Sequence, residues 1–132
     1  MRKIVGLVVA ALVLSAAAAS DFERTAQAQA KLDKALAGRV AGETMRCLQT
    51  HRTESPVAID DRTMIFKDGP RVWRNDLQSG FNCSDLGARK AIVTVDKPAQ
   101  VCAGDKLYIV NLFDGSPVGT CVIGSFTLYS RP

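Results

Sequence analysis

The sequence predicts a mainly β domain, a small disulfide-tied antiparallel barrel or curled sheet preceded by one N-terminal helix. From Met45 onward, short runs of apolar, β-branched and aromatic residues alternate with turn residues, which is typical of short strands. Upstream of Met45 the chain is rich in Ala, Gln, Lys and Leu, all good helix formers. Four cysteines in a chain of this length indicate a disulfide framework.

The helix is predicted to begin at a capping box, since Ser20-x-x-Glu23 places a hydroxyl and a carboxylate at the required spacing. Gly38 marks its end. Three apolar residues recur at four-residue spacing, at Leu32, Leu36 and Val40. We expect this lead-in, residues 20–42, to cover one edge of the domain or to form a partly ordered arm rather than to bind a partner.

The β-domain is predicted over residues 43–132. Its expected strands are Met45–Thr50, Val57–Ile59, Thr63–Lys67, Arg71–Asn75, Lys90–Val95, Leu107–Phe113, Val118–Ile123 and Phe126–Tyr129. Asp68-Gly69 predicts one hairpin, with a widened loop because Pro70 lacks an N–H, and residues 114–117 predict a second. The strand Leu107–Phe113 is apolar on both faces, which predicts a position at the centre of the domain.

The first 19 residues read as a signal peptide. A basic start at Arg2-Lys3 precedes an apolar run, and small residues at Ala17 and Ala19 fit an A-x-A cleavage site. The uncharged run from Ile4 to Ala19 is shorter than the roughly 20 residues that span a bilayer. We therefore expect a periplasmic or secreted protein that has no membrane span once the signal is removed.

The cysteines are Cys47, Cys83, Cys102 and Cys121. Four cysteines allow three pairings, and the sequence does not decide among them. Because Cys83 and Cys102 each lie in a long predicted loop, we expect Cys83–Cys102 and Cys47–Cys121. The spacings contain no C-x-x-C and no close ligand pairs, which disfavours a redox motif and a zinc site.

The charge balance disfavours a nucleic-acid partner. With Arg2 and Lys3 removed, 15 basic and 13 acidic residues remain, a net charge of +2, and the two signs alternate along the chain. A nucleic-acid interface would need a basic stripe. The expected partner is a protein or another component of the cell envelope.

No residue pattern identifies a catalytic or metal site, and no cofactor is predicted. His51 is the only histidine, and we expect it to be exposed and to lack the partners that a general base needs. Asp60-Asp61 is interpreted as a turn entering a strand, with Arg62 or Arg74 as ion-pair partners, rather than as a calcium site. Most aromatic residues are expected in the core. Trp73, between Arg71 and Arg74, is the predicted exposed ring and partner-binding position.

A set of short motifs resembles one known family. Cys47-Leu48, Ile59-Asp60-Asp61-Arg62-Thr63, Val101-Cys102-Ala103-Gly104-Asp105 and Gly119-Thr120-Cys121-Val122 occur in its order and spacing, and Trp73 stands where a tyrosine is expected. The family comprises small exported proteins of Gram-negative bacteria that are classed as a domain of unknown function. The resemblance implies an exported, disulfide-bonded domain and implies no activity, cofactor or partner.

Two functions are therefore considered. The first is a non-catalytic binding or interaction module, of which an inhibitor of a secreted hydrolase is one concrete form, since rigid loops bind at a low entropic cost. The second is a small secreted enzyme whose site is built from scattered Asp, Arg and Ser residues. A convergent cluster of these residues in one pocket would favour the enzyme, whereas an exposed aromatic surface would favour the binding module.

Overall fold

A computed structural model describes residues 23–78, 83, 86, 91–94 and 99–132, with only the backbone of 91–94. The predicted signal peptide, its cleavage site and Ser20 lie outside these residues. Among the described residues, no helix has the length and apolar character that a membrane crossing requires.

The described residues form one α-helix, one 3-10 helix and ten strands. The α-helix, α1, spans Ala26–Leu36 and the 3-10 helix spans Thr50–Arg52. The strands are β1 Val40–Met45, β2 Cys47–Gln49, β3 Val57–Ala58, β4 Thr63–Asp68, β5 Arg71–Asp76, β6 Ala91–Thr94, β7 Gln100–Cys102, β8 Lys106–Val110, β9 Pro117–Val122 and β10 Phe126–Ser130. The mainly β class is confirmed.

The strands pair in three antiparallel ladders. The largest sheet has five strands in the order β1-β10-β5-β4-β3, so β5 is central. A second sheet has the order β6-β8-β9, and β2 pairs with β7 alone. Within the described strands no ladder closes the sheets into a barrel, so the curled sheet is the architecture that fits.

The middle of the five-stranded sheet, strands β4 and β5, is covered on both faces, whereas edge strand β1 is exposed. Side chains alternate along β5, which places Val72 on one face and Trp73 on the other. Val72 shares a small apolar cluster with Leu32 of α1 and with Ile59 and Ile65, so the helix covers that face. The opposite face belongs to the main core, to which β8 and β9 also contribute side chains. The buried residues of the main core are Leu48, Met64, Phe66, Trp73, Leu77, Cys83, Leu86, Val101, Leu107, Ile109, Cys121, Ile123 and Phe126.

Helix α1 begins later than the capping box predicts. Thr25 is the N-cap, and its hydroxyl accepts a hydrogen bond from the amide of Ala28 at 3.1 Å. Glu23 precedes the helix and therefore cannot act as its N3 residue. Gly38 ends the helical segment as predicted, with a φ of 70° that favours glycine.

The lead-in is part of the folded domain. Leu32 is 2% exposed beneath the sheet, so this segment covers a face of the sheet, where cover of an edge was expected. The predicted boundary between residues 42 and 43 falls inside β1, which starts at Val40 and pairs with β10. Helix propensity upstream and a glycine at position 42 concealed this strand.

The first hairpin is tighter than predicted. Asp68 and Arg71 are direct partners, leaving only Gly69 and Pro70 in the turn. Gly69, at the first central position of the turn, has a φ of 56°. Pro70, at the second, cannot take a positive φ. This combination corresponds to a type II′ turn. The residue at the second central position donates no turn hydrogen bond, so the missing N–H of Pro70 costs nothing there.

Strand β8 is the central strand of its sheet, but it is shorter than expected and is fully buried on one face only. It ends at Val110, and Asn111 to Ser116 form the connection to β9. Leu107 and Ile109 are buried, whereas Tyr108 is 37% exposed on the other face. The second predicted hairpin is confirmed.

Both disulfides form, but the predicted pairing is wrong. The bonds join Cys47 to Cys102 and Cys83 to Cys121. Cys102 lies in β7, not in a loop, and faces Cys47 directly across the β2–β7 ladder. Cys121 is fully buried in β9, where it joins Cys83 in the main core.

Candidate functional site

His51 is exposed, as predicted, and lies in the 3-10 helix. Within the described residues, no group of three or more His, Cys, Asp or Glu side chains is arranged to hold a metal ion.

Asp60 stabilises the turn into β4, as predicted, but with a different partner. Its Oδ1 accepts hydrogen bonds from the amides of Arg62 and Thr63, at 2.8 and 3.0 Å. Its Oδ2 forms an ion pair with Arg24, which precedes α1. The carboxylate therefore ties the start of the helical segment to the sheet.

A second carboxylate continues this cluster across the sheet. The hydroxyl of Thr63 accepts a hydrogen bond from Arg24 and donates one to Asp76 at 2.7 Å. Asp76 also forms an ion pair with Arg74 at 3.1 Å. Burial lowers the pKa of Arg74, but the attraction and hydrogen bonds of Asp76 and Tyr129 together outweigh it, so that pKa is raised above its ordinary value and the guanidinium stays charged.

The cluster is built to hold α1 on the sheet. Its one hydroxyl, that of Thr63, is completely buried and already both donates and accepts. Asp60 accepts from two backbone amides and from Arg24. A nucleophile and a base must reach a substrate, and here the groups that converge are engaged with one another. Convergence of Asp and Arg therefore does not by itself favour the enzyme.

Trp73 is not exposed, contrary to the prediction. Its side chain is 3% exposed, because the alternation of β5 directs it into the main core beside its cross-strand partners Phe66 and Leu128. Arg71 lies on the same strand face and forms an ion pair with Asp68 at 2.8 Å. Arg74 points to the opposite face, so the three residues do not form one surface. A partner-binding role for Arg71 or Arg74 stays a prediction.

Phe113 is the most exposed aromatic residue in the described part of the chain. It is 100% exposed, beside Leu112 at 66%, in the connection between β8 and β9. We call residues 111–116 the Phe113 loop. Sequence reasoning assigned Phe113 to a strand and to the core. The signal that could have identified it is its position directly before Asp114-Gly115, which belongs to a turn rather than to a pleated strand.

The Phe113 loop is held by its own hydrogen bonds. The amide of Asn111 donates to the carbonyl of Ser116 and the amide of Gly115 donates to the carbonyl of Asn111, both at 2.9 Å. The Asn111 side chain accepts from the amide of Phe113 at 2.8 Å. Asp114 Oδ1 accepts from the amide and the hydroxyl of Ser116, at 2.9 and 2.6 Å. The loop therefore presents its apolar tip in one defined conformation.

A second surface feature lies between α1 and the β4–β5 hairpin. This groove has a cavity volume of about 430 Å³, within the range of small-molecule sites. Its floor is Ile59, Ile65 and Val72 and its rim carries Lys31, Lys34, Arg39 and Lys67. We call it the basic groove. The charge arrangement was not visible in the sequence, because the four cations are spread over 37 positions and come together only when α1 packs on the sheet.

No family model, no curated protein and no solved structure matches the chain. The resemblance carried by the cysteine motifs therefore stays a prediction.

Proposed function

We propose that this chain is an exported, non-catalytic interaction module that inserts the Phe113 loop into an apolar pocket of a protein partner. The observation that carries the proposal is a completely exposed phenylalanine on a loop braced by five internal hydrogen bonds. Exposed apolar residues next to one another indicate an interaction site. Aromatic anchors that fill pockets supply much of the binding energy of protein interfaces.

Pre-organisation explains why the loop needs its hydrogen bonds. An exposed apolar tip on a freely moving loop would lose conformational entropy on binding, whereas a braced tip has already lost it on folding. An inhibitor of a secreted hydrolase is one form of such a module, since the active-site clefts of hydrolases are concave.

Export is part of the same proposal. The first 19 residues have the order of a signal peptide, and disulfides persist in oxidising compartments. Membership of the exported family that the cysteine motifs resemble would agree with this. N-terminal sequencing of material secreted to the periplasm or medium should begin at or near Ser20, and exported protein that retains Met1 would contradict the claim.

The Phe113 loop is tested by comparing wild-type protein with Phe113→Ala. The mature protein is used to capture partners from a periplasmic extract, and the captured protein is then purified and titrated by calorimetry. Phe113→Ala should weaken its affinity by about 2 kcal/mol or more, roughly 30-fold. The melting temperature should not change, because the ring makes no buried contacts.

Val40→Ala is the matched control, since Val40 is also an exposed apolar residue, at 54%, but lies on edge strand β1 of the five-stranded sheet, whereas the Phe113 loop joins β8 and β9 of another sheet. It should bind like the wild type. Asn111→Ala should keep the ring but loosen the loop, and so weaken binding by an intermediate amount. Equal affinity of wild type and Phe113→Ala would refute the proposal.

A further inference from the structure

The floor of the basic groove is apolar and closed. Ile59, Ile65 and Val72 are 6%, 1% and 1% exposed, so they seal the bottom of the gap between α1 and the sheet but offer little surface to a ligand. Val57 borders this floor and is 42% exposed, which leaves an apolar side chain facing solvent at the edge of the groove. A bound molecule would therefore meet its main apolar contact at one side, at Val57.

The rim carries four cations, Lys31, Lys34, Arg39 and Lys67. Within the part of the chain that the structure describes, none of them forms an ion pair. Lys31 donates only to the carbonyl of Ala58. Four positive groups around one concavity repel one another, so an anion bound among them would relieve that repulsion.

Arg39 has donor capacity that the fold leaves unused. Its Nε is buried and has no hydrogen-bond partner among the described residues, and its Nη1 reaches only the carbonyl of Ala37, at a long 3.4 Å. An unsatisfied buried donor is unfavourable, and a guanidinium is well suited to a carboxylate or phosphate. This second observation also indicates an anionic ligand.

We propose that the basic groove binds a small amphiphilic anion, a carboxylate or phosphate head group on an apolar chain. The cations would hold the head group, and Val57 at the edge of the groove would contact the chain. A bare inorganic anion would leave the apolar surfaces unused. A flat anionic membrane would not enter a concavity between a helix and a hairpin. The site is separate from the Phe113 loop, and its test is independent of the proposed function.

Calorimetric titration of the folded mature protein at low ionic strength tests the site with decanoate and with decyl phosphate, below their micelle concentrations. Both should bind with one-to-one stoichiometry. Lys34→Gln combined with Lys67→Gln removes one cation from the helix and one from the strand, and should weaken binding about tenfold. Lys106→Gln combined with Arg52→Gln, an equal charge change at two exposed residues outside the groove, should leave affinity unchanged.

Val57→Asp with its uncharged counterpart Val57→Asn separates charge from shape. The added carboxylate should abolish binding, whereas Val57→Asn should keep most of it, and thermal melts establish that every variant is folded. Inorganic phosphate and decyl maltoside, which offer the head charge alone and the chain alone, should bind far more weakly.

Four results would each overturn the assignment. They are no binding of either amphiphile at millimolar concentration, equal binding of inorganic phosphate or of the maltoside, equal weakening by the Lys106→Gln and Arg52→Gln double variant, and binding confined to vesicles of anionic phospholipid. The last would make the groove part of a membrane-binding surface.

Discussion

Asn75 and Gly124 exchange two hydrogen bonds inside the core. The side-chain amide of Asn75 donates to the carbonyl of Gly124 at 2.8 Å, and the amide of Gly124 donates to Asn75 Oδ1 at 3.0 Å. Asn75 is completely buried on the central strand β5, and Gly124 lies in the connection between β9 and β10. The Asn75 side chain therefore supplies the hydrogen bonds that the buried amide and carbonyl of Gly124 need outside a strand.

This pairing requires glycine at position 124. A Cβ there would lie 2.0 Å from the carbonyl oxygen of Asp76, a backbone atom that cannot move aside cheaply. We expect Gly124→Ala to lower the free energy of unfolding by about 3 kcal/mol or more. Urea unfolding measures it. Gly42→Ala is the control, because its Cβ would make only an ordinary 3.6 Å contact. A loss below about 1 kcal/mol for Gly124→Ala would contradict the close approach.

Trp73 should behave as a core residue. Trp73→Ala removes a ring that is 3% exposed and should cost about 3–5 kcal/mol of unfolding free energy. Trp73→Phe should cost much less, about 1.5 kcal/mol, because the indole Nε1 has no hydrogen-bond partner among the described residues and its removal leaves no acceptor unpaired. Chemical denaturation decides this. If the two variants were equally unstable, the indole N–H would have an essential partner, and an unaffected Trp73→Ala would place the ring outside the core.

The two outcomes at Trp73 and Phe113 show where sequence reasoning stops. Charged residues on both sides suggested exposure for Trp73. Arg74, however, lies on the opposite face of β5, and Arg71, although on the same face, is the exposed first residue of the strand. Which face is covered depends on the packing of the second sheet, which no local pattern reveals. For Phe113 the error was one of strand length, since an apolar run does not show where its pairing ends.

Strand positions, by contrast, followed from local chemistry. The hairpins at Gly69 and Gly115 have positive φ at glycine, and the predicted strands around them agree with the structure to within a few residues. The disulfide pairing did not follow, because it depends on β7. That strand has three residues and is too short to show a period in the sequence.

Helix α1 should contribute to stability through Leu32. This side chain is 2% exposed and contacts the cluster of Ile59, Ile65 and Val72. Leu32→Ala should lower the free energy of unfolding by about 2–5 kcal/mol. Gln27→Ala, at an exposed position of the same helix, should be neutral or slightly stabilising. Two-state denaturation curves compare them, and an unaffected Leu32→Ala would show that the helix is dispensable.

The disulfide bonds should be Cys47–Cys102 and Cys83–Cys121. Non-reducing peptide mapping of the mature protein identifies them directly, and a peptide linking Cys83 to Cys102 would contradict the structure. Loops of 55 and 38 residues are closed by these bonds, which on a chain-entropy model contribute about 4 kcal/mol each. Replacing Cys47 and Cys102 together with serine should lower the free energy of unfolding by that order, since the half-buried pair leaves the main core intact.

Acid should loosen the Phe113 loop. The hydroxyl and amide of Ser116 hold the pKa of the Asp114 carboxyl below its ordinary value of 3.8, since both donate to the ionised form. A carboxyl whose pKa is depressed in the folded state stabilises it above the unfolded pKa and loses that contribution as the pH falls through the folded value. The brace should therefore persist at neutral pH and disappear only below pH 3.8. Ser116→Ala removes the hydroxyl and should move the pKa of Asp114 upward toward 3.8, which a carboxyl-detected NMR titration measures. Ser55→Ala, at an exposed position outside the loop, should leave it unchanged. An unshifted Asp114 in Ser116→Ala would mean that the loop is not braced in this way, and its tip would then bind a partner at a higher entropic cost.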